Sequence, residues 1–193
     1  MKRKKRFSRI RRLGVSIHLK LLTGCVGDKK GCIHLIDTGD GLILIDSGYL
    51  GASHLLVDSI WRAGFDPRNV RWILHTYGHF DHFGASEEFA KMYGTKLAIS
   101  RVDAQLLCEK PHYAHIDKPR YPLANIPRFD HEIEDGEIFS LGNVQIRCVL
   151  TPGHTQGVLT LFFPVTENGK TYLAGLYGGA GISPVPLYPE FKD

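Results

Sequence analysis

The order of apolar patterns predicts an α/β fold with helices packed on sheet. Three features carry this expectation: an early strand pair closed by a tight turn, a middle stretch that alternates helix and strand, and a late run of strands. In the early pair, residues 32–36 and 42–45 flank Asp37-Thr38-Gly39-Asp40-Gly41, whose Gly and Asp residues suit a hairpin reversal. Leu55, Leu56, Ile60 and Trp61 then recur at helical spacing, opened by Ser53 as N-cap and closed by Gly64, with Asp66-Pro67 ending the segment. Residues 70–74 form a short apolar strand. Residues 86–93 read as a helix with acids in the first turn and Gly94 behind it. A strand over 96–99 and a helix over 102–108 follow. The stretch 110–128 holds four prolines and little periodicity, which predicts a long loop or lid. Strands are predicted over 137–141, 144–150 and 158–165 and, after the Glu167-Asn168-Gly169 turn, over 170–174.

At 193 residues the chain is long enough for one substantial core. With 43% hydrophobic and 23% charged residues, its composition excludes wholesale disorder and low-complexity scaffolds. No stretch approaches the roughly 18 apolar residues of a membrane span. The net charge of +4 hides an asymmetry, because eight of the 24 basic residues lie in the first twelve positions with no acid among them. The remainder is mildly acidic, so no nucleic-acid partner is expected. The expected organisation is a basic disordered arm over 1–12, one domain over 13–175 and a Gly/Pro-rich tail over 176–193. The segment after the arm is broken by His18 and Lys20 and makes a poor secretory signal, which points to the cytoplasm. Cys25, Cys32, Cys108 and Cys148 are widely separated, have no C-x-x-C pair, and read as reduced, small apolar residues.

The chemistry concentrates at strand ends. Directly after the 70–74 strand comes His75-Thr76-Tyr77-Gly78-His79-Phe80-Asp81-His82, which puts His79, Asp81 and His82 within four positions on a turn entering a helix. Imidazoles and carboxylate at this density suit a divalent transition metal such as zinc, and a turn can aim them at one point. Thr151-Pro152-Gly153-His154-Thr155 places another histidine on a turn after a strand. Singly, a histidine is more often a satisfied polar residue than a ligand, and His18, His34, His54, His112, His115 and His131 keep that reading.

Residues 43–48 (ILIDSG), 73–84 (ILHTYGHFDHFG) and 150–157 (LTPGHTQG) resemble, in the right order, the signature segments of the metallo-β-lactamase fold superfamily. The resemblance covers about residues 31–175. Gly64-Phe65-Asp66-Pro67 and the histidine after Asp81 look most like the third subclass of true β-lactamases. It implies an αββα sandwich, incomplete at its C-terminal side, with a site for one or two zinc ions at the edge of the sheets. Carried over, His79 and His154 belong to a first metal site, Asp81 and His82 to a second, and Asp46 to the support behind them. Asp46 reads equally well as a strand-terminating turn residue.

Two departures accompany the resemblance. The family's first motif histidine falls at position 77, where this chain has Tyr77, and His75 stands two residues too early. The late bridging aspartate and final histidine have no counterpart; positions 174–176 read Ala-Gly-Leu. The implied function is a zinc-dependent hydrolase that opens a β-lactam, lactone or thioester carbonyl with a metal-bound hydroxide, Asp81 orienting the water. The alternative is a degenerate, non-catalytic member acting as a binding protein. The expected partners are a small-molecule substrate and a second copy of the chain, with no membrane.

Overall fold

The computed structural model describes residues 8–12, 15–22, 33–51, 53–114, 125–167 and 170–179. Its elements in chain order are β1 (Ser8–Arg12), β2 (Val15–Leu22), β3 (Ile33–Asp37), β4 (Leu42–Ile45), α1 (Ser53–Arg62), β5 (Val70–Leu74), α2 (Phe80–Phe83), α3 (Ser86–Tyr93), β6 (Lys96–Ser100), α4 (Arg101–Glu109), β7 (His131–Ile133), β8 (Ile138–Leu141), β9 (Val144–Leu150), β10 (Leu159–Glu167) and β11 (Lys170–Tyr177). Strands β1 to β7 form one sheet in sequential order, and β8 to β11 form an antiparallel meander.

The first sheet is antiparallel from β1 to β4 and parallel from β4 to β7. The β3–β4 hairpin closes as its turn residues require: Thr38 N–H donates to the Gly41 carbonyl at 3.0 Å, and Gly39 and Gly41 both take positive φ. Strand β4, Leu-Ile-Leu-Ile, is buried on both faces, as a central strand needs. Leu42 and Leu44 join Leu56 and Ile60 of α1 and Phe89 of α3 in one core cluster. Ile43 and Ile45 join Leu74, Ala98, Ile146, Cys148, Leu159 and Leu161 in the core between the two sheets. Each fully buried aliphatic side chain contributes about 1.5–3 kcal/mol, so these two clusters fix the layers.

The described residues supply three layers of the sandwich, helices on sheet on sheet. Phe139 of β8 and Ala174 and Leu176 of β11 face the inter-sheet core. By strand alternation Ile138, Leu173 and Tyr177 lie on the opposite face, and they are 59%, 74% and 52% exposed.

Several sequence expectations need correction. The basic arm is not disordered throughout, because Ser8–Arg12 pairs with β2 as strand β1. Backbone pairing in a sheet does not require apolar side chains. Strand β11 continues through Gly175, Leu176 and Tyr177, so the Gly/Pro-rich tail begins later than residue 176. Residues 1–7 of the arm, Cys25, Cys32, residues 115–124 of the proline-rich loop and residues 180–193 of the tail lie outside the described residues. Among the described residues no helix is long and apolar enough to cross a membrane. Cys108 is a free thiol at the surface and Cys148 is buried in the core, where burial, with the charge of Glu137, pushes its thiol up to about 12.

Candidate active site

The parallel strands β4, β5 and β6 deliver their C-terminal ends to one edge of the sheet, and the chemistry-bearing residues follow them. Asp46 leaves β4 with φ of 64°, a left-handed conformation that a short polar side chain tolerates best. Its carboxylate is buried and accepts from Thr76 N–H and the Thr76 hydroxyl, each at 2.7 Å, and from His82 Nδ1 at 2.7 Å. Asp46 thus stands at the turn that ends the strand and is bonded to the motif loop. Burial alone would push its carboxyl up, but the charge and hydrogen bond of His82, with the Thr76 N–H and His75, hold it below the ordinary carboxylate range. Burial likewise favours neutral His82, and Asp46, with a smaller part from Asp81, outweighs it and raises the imidazole.

His79 sits at the N-cap of the four-residue helix α2, which carries Asp81 and His82. Ser47 N–H and the Ser47 hydroxyl donate to the His82 carbonyl at 2.8 and 3.1 Å, fastening α2 to the end of β4. With Nδ1 held by Asp46, His82 Nε2 faces Asp81, 3.8 Å from Oδ2. This arrangement fixes the ring's tautomer and aim, as carboxylates do behind metal-bound histidines.

His154 arrives from the other sheet, on the loop after β9. Its ring centroid is 4.8 Å from that of His79 and 4.8 Å from that of Tyr77. Tyr77 is 5.0 Å from His79 and 3.8 Å from His82 by the same measure, so its buried phenol stands among three imidazoles. The structure thus brings together Tyr77, His79, Asp81, His82 and His154 with Asp46 behind them.

His75 is turned away from the cluster. It is fully buried, with Nδ1 2.8 Å from the Ala98 carbonyl and Nε2 2.7 Å from the Ser86 hydroxyl. Burial lowers its pKa to about 4, against the opposing pull of Asp46 and the Ala98 carbonyl. It does not replace the ligand missing at position 77. Among the other histidines, His131 pairs with Glu137 at 2.7 Å, and His34 on β3 has a buried Nδ1 without a hydrogen-bond partner among the described residues.

Sequence reasoning missed Asp103. In the first turn of α4 its buried carboxylate accepts from Gly78 N–H at 2.7 Å, the Thr155 hydroxyl at 2.9 Å and Gly157 N–H at 2.9 Å. Burial raises its pKa despite these donors and the nearby His154. The available signal was Ser100-x-x-Asp103 just after a strand, at the edge that carries the motif.

The donor types suit a divalent ion, but their number falls short. Among the described residues no three His, Cys, Asp or Glu side chains gather closely enough to hold one ion. The donors stand instead as two pairs, His79 with His154 and Asp81 with His82, against the three protein ligands that catalytic zinc usually keeps.

A mixed sheet facing a second sheet, with histidines and an aspartate on the loops at their shared edge, defines a class of two-sheet α/β sandwich. The chain belongs to the Metallo-beta-lactamase superfamily, whose pattern matches residues 29–167. A hydroxyacylglutathione hydrolase of Maricaulis maris is 28% identical over 142 residues, covering 73% of this chain and 45% of that protein. An N-acyl homoserine lactonase of Bacillus thuringiensis is 22% identical over 163 residues, covering 72% of this chain and 60% of that protein. Among solved structures, BJP-1, a subclass B3 metallo-beta-lactamase of Bradyrhizobium japonicum, superposes with a TM-score of 0.72 at 25% identity, covering 84% of this chain and 59% of that one. The chain therefore spans less than two thirds of the length of each of these relatives.

Proposed function

We propose that the site is that of a zinc-dependent hydrolase opening an activated carbonyl, a β-lactam amide, a lactone ester or a thioester, with His79, Asp81, His82 and His154 as the chain's donors. The observation that carries this reading is the Asp46–His82 bond of 2.7 Å, which aims Nε2 of His82 toward Asp81. A carboxylate buried behind an imidazole has a clear use when that imidazole must present one lone pair in a fixed direction. The relatives' names support the carbonyl class, since they include a lactonase, an acylglutathione hydrolase and a β-lactamase. The free thiols of Cys108 and Cys148 fit a cytoplasmic setting.

Zinc bound there would supply Lewis acidity and a water of lowered pKa. The chain's own residues do the rest. Asp46 would hold the proton on Nδ1 of His82, and Asp81 would orient the attacking water. His79 and His154 would present imidazoles from opposite sheets, with Tyr77 packed beside both.

One observation favours a second, non-catalytic reading. The Tyr77 ring packs against the rings of His79, His82 and His154, and a neutral phenol with an ordinary pKa of ~10 is a poor ligand at neutral pH. Hydrolysis of a chromogenic cephalosporin, a lactone and a thioester decides between the two. The hydrolase reading expects slow turnover that disappears with a chelator and with Asp81→Ala. No turnover at any zinc concentration supports the binding-protein reading, and turnover surviving both treatments rejects the metal mechanism.

A further inference from the structure

We propose that Asp103 is a positioning residue that sets the spacing between His79 and His154 by clamping the two loops that carry them. This rests on taking the imidazole cluster as the functional site. The two histidines come from different sheets, one after β5 and one after β9, so no strand ladder fixes their separation. One backbone bond, Leu159 N–H to the Thr76 carbonyl at 2.8 Å, joins the loops near their bases. Nearer the histidines, beside the ring contact of His79 with His154, the Asp103 carboxylate bridges the two loop backbones. Oδ2 takes Gly78 N–H, the residue before His79, together with the hydroxyl of Thr155, the residue after His154; Oδ1 takes Gly157 N–H.

The loops are shaped to this carboxylate. A Cβ on Gly157 would collide with Asp103 Oδ1 and Ser100 Oγ, and one on Gly78 would come within 3.3 Å of Asp103 Oδ2 and 3.0 Å of Leu107 Cδ1. Gly157 sits where only a bare backbone lets an N–H reach Asp103, and Gly78 leaves little room for a side chain. Asp103 is itself anchored, since its own N–H donates to Ser100 Oγ at 3.2 Å at the start of α4. Three donors on one buried carboxylate make a rigid junction, because an amide in its place would turn an N–H against an N–H. Asp103 lies outside the ring cluster; its charge reaches His154 directly, and its hydrogen bonds act on both histidines through the loops, which Thr155→Val tests with the charge left in place.

The test is NMR of the isotopically labelled full chain without metal, comparing the wild type with Asp103→Asn. The expected result is loss of amide-exchange protection at Gly78 and Gly157, with shifted ring resonances for both His79 and His154. The ring of His75, held by Ala98 and Ser86, should stay unchanged. Unmoved His79 and His154 rings, with or without lost protection, would overturn the proposal, because a merely structural bond leaves the rings in place. If Asp103→Asn does not fold, Thr155→Val decides: it removes one donor, and it must shift the ring of His154 and leave that of His75, an unmoved His154 ring overturning the clamp. Zinc titration separates the two readings. Where the wild type binds zinc, Asp103→Asn should weaken binding about tenfold or more. A wild type that takes up no zinc counts against the metal reading, and the metal-free rings still test the clamp.

Discussion

The rings of Tyr77 and His82 lie with centroids 3.8 Å apart and planes tilted by 43°, the shortest ring-to-ring separation in the cluster. A phenol thus packs onto the imidazole that Asp46 has already aimed. His82 is fixed on one nitrogen by a buried carboxylate and covered on one side by an aromatic ring, so its remaining freedom is small. The cluster is preorganised, yet the side chain at its centre is not an ordinary zinc ligand.

Asp46→Asn should be costly, because it keeps the shape and removes the charge that three donors share. The expected loss is about 3 kcal/mol in urea unfolding at pH 7, typical of breaking a buried charged pair. The same variant should lower the His82 pKa measured by NMR, since burial would then be opposed by the smaller pull of Asp81 and no longer by Asp46. An unchanged His82 pKa would mean that Asp46 does not set its charge.

His75 should make the fold acid-sensitive. Its folded pKa of about 4 lies below the unfolded value of 6.5, so the unfolded chain takes up the proton first. Stability should therefore fall as the pH drops from about 6.5 toward 4, by roughly 3 kcal/mol at about 1.4 kcal/mol per unit. Chemical denaturation across that range, compared with His75→Asn, isolates the contribution. Equal slopes for both proteins would contradict it.

The outer face of the four-stranded sheet should promote self-association. Leu173 and Ile138 are 74% and 59% exposed there, and β11 ends its sheet with no further strand beside it among the described residues. Light scattering should find dimers or larger species, and Leu173→Lys should shift them toward monomer. A monodisperse wild-type monomer would reject this expectation.

Elements whose signals are local were legible in the sequence. Strand β5 and helix α3 have the predicted bounds, the latter because Gly94 ends it with φ of 69° and donates its N–H to the Ala90 carbonyl. The hairpin of β3 and β4 follows from its Asp and Gly residues. Strands β1 and β2 were not legible, since arginines, His18 and Lys20 obscure any alternation. Helix α2 was hidden by its length of four residues. In the site, the motif residues announced themselves by density, whereas Asp103 acts on partners 25, 52 and 54 positions away, and no local pattern encodes such a reach.

On the proposed function, the first zinc site has His79 and His154 and falls one donor short at position 77. Calorimetric titration of zinc into the wild type and Tyr77→His tests it most directly. Weak binding is expected of the wild type and at least tenfold tighter binding of the variant, about 1.4 kcal/mol or more, because the new imidazole would complete a set of three with His79 and His154. Equal affinity and stoichiometry in the two proteins would contradict it.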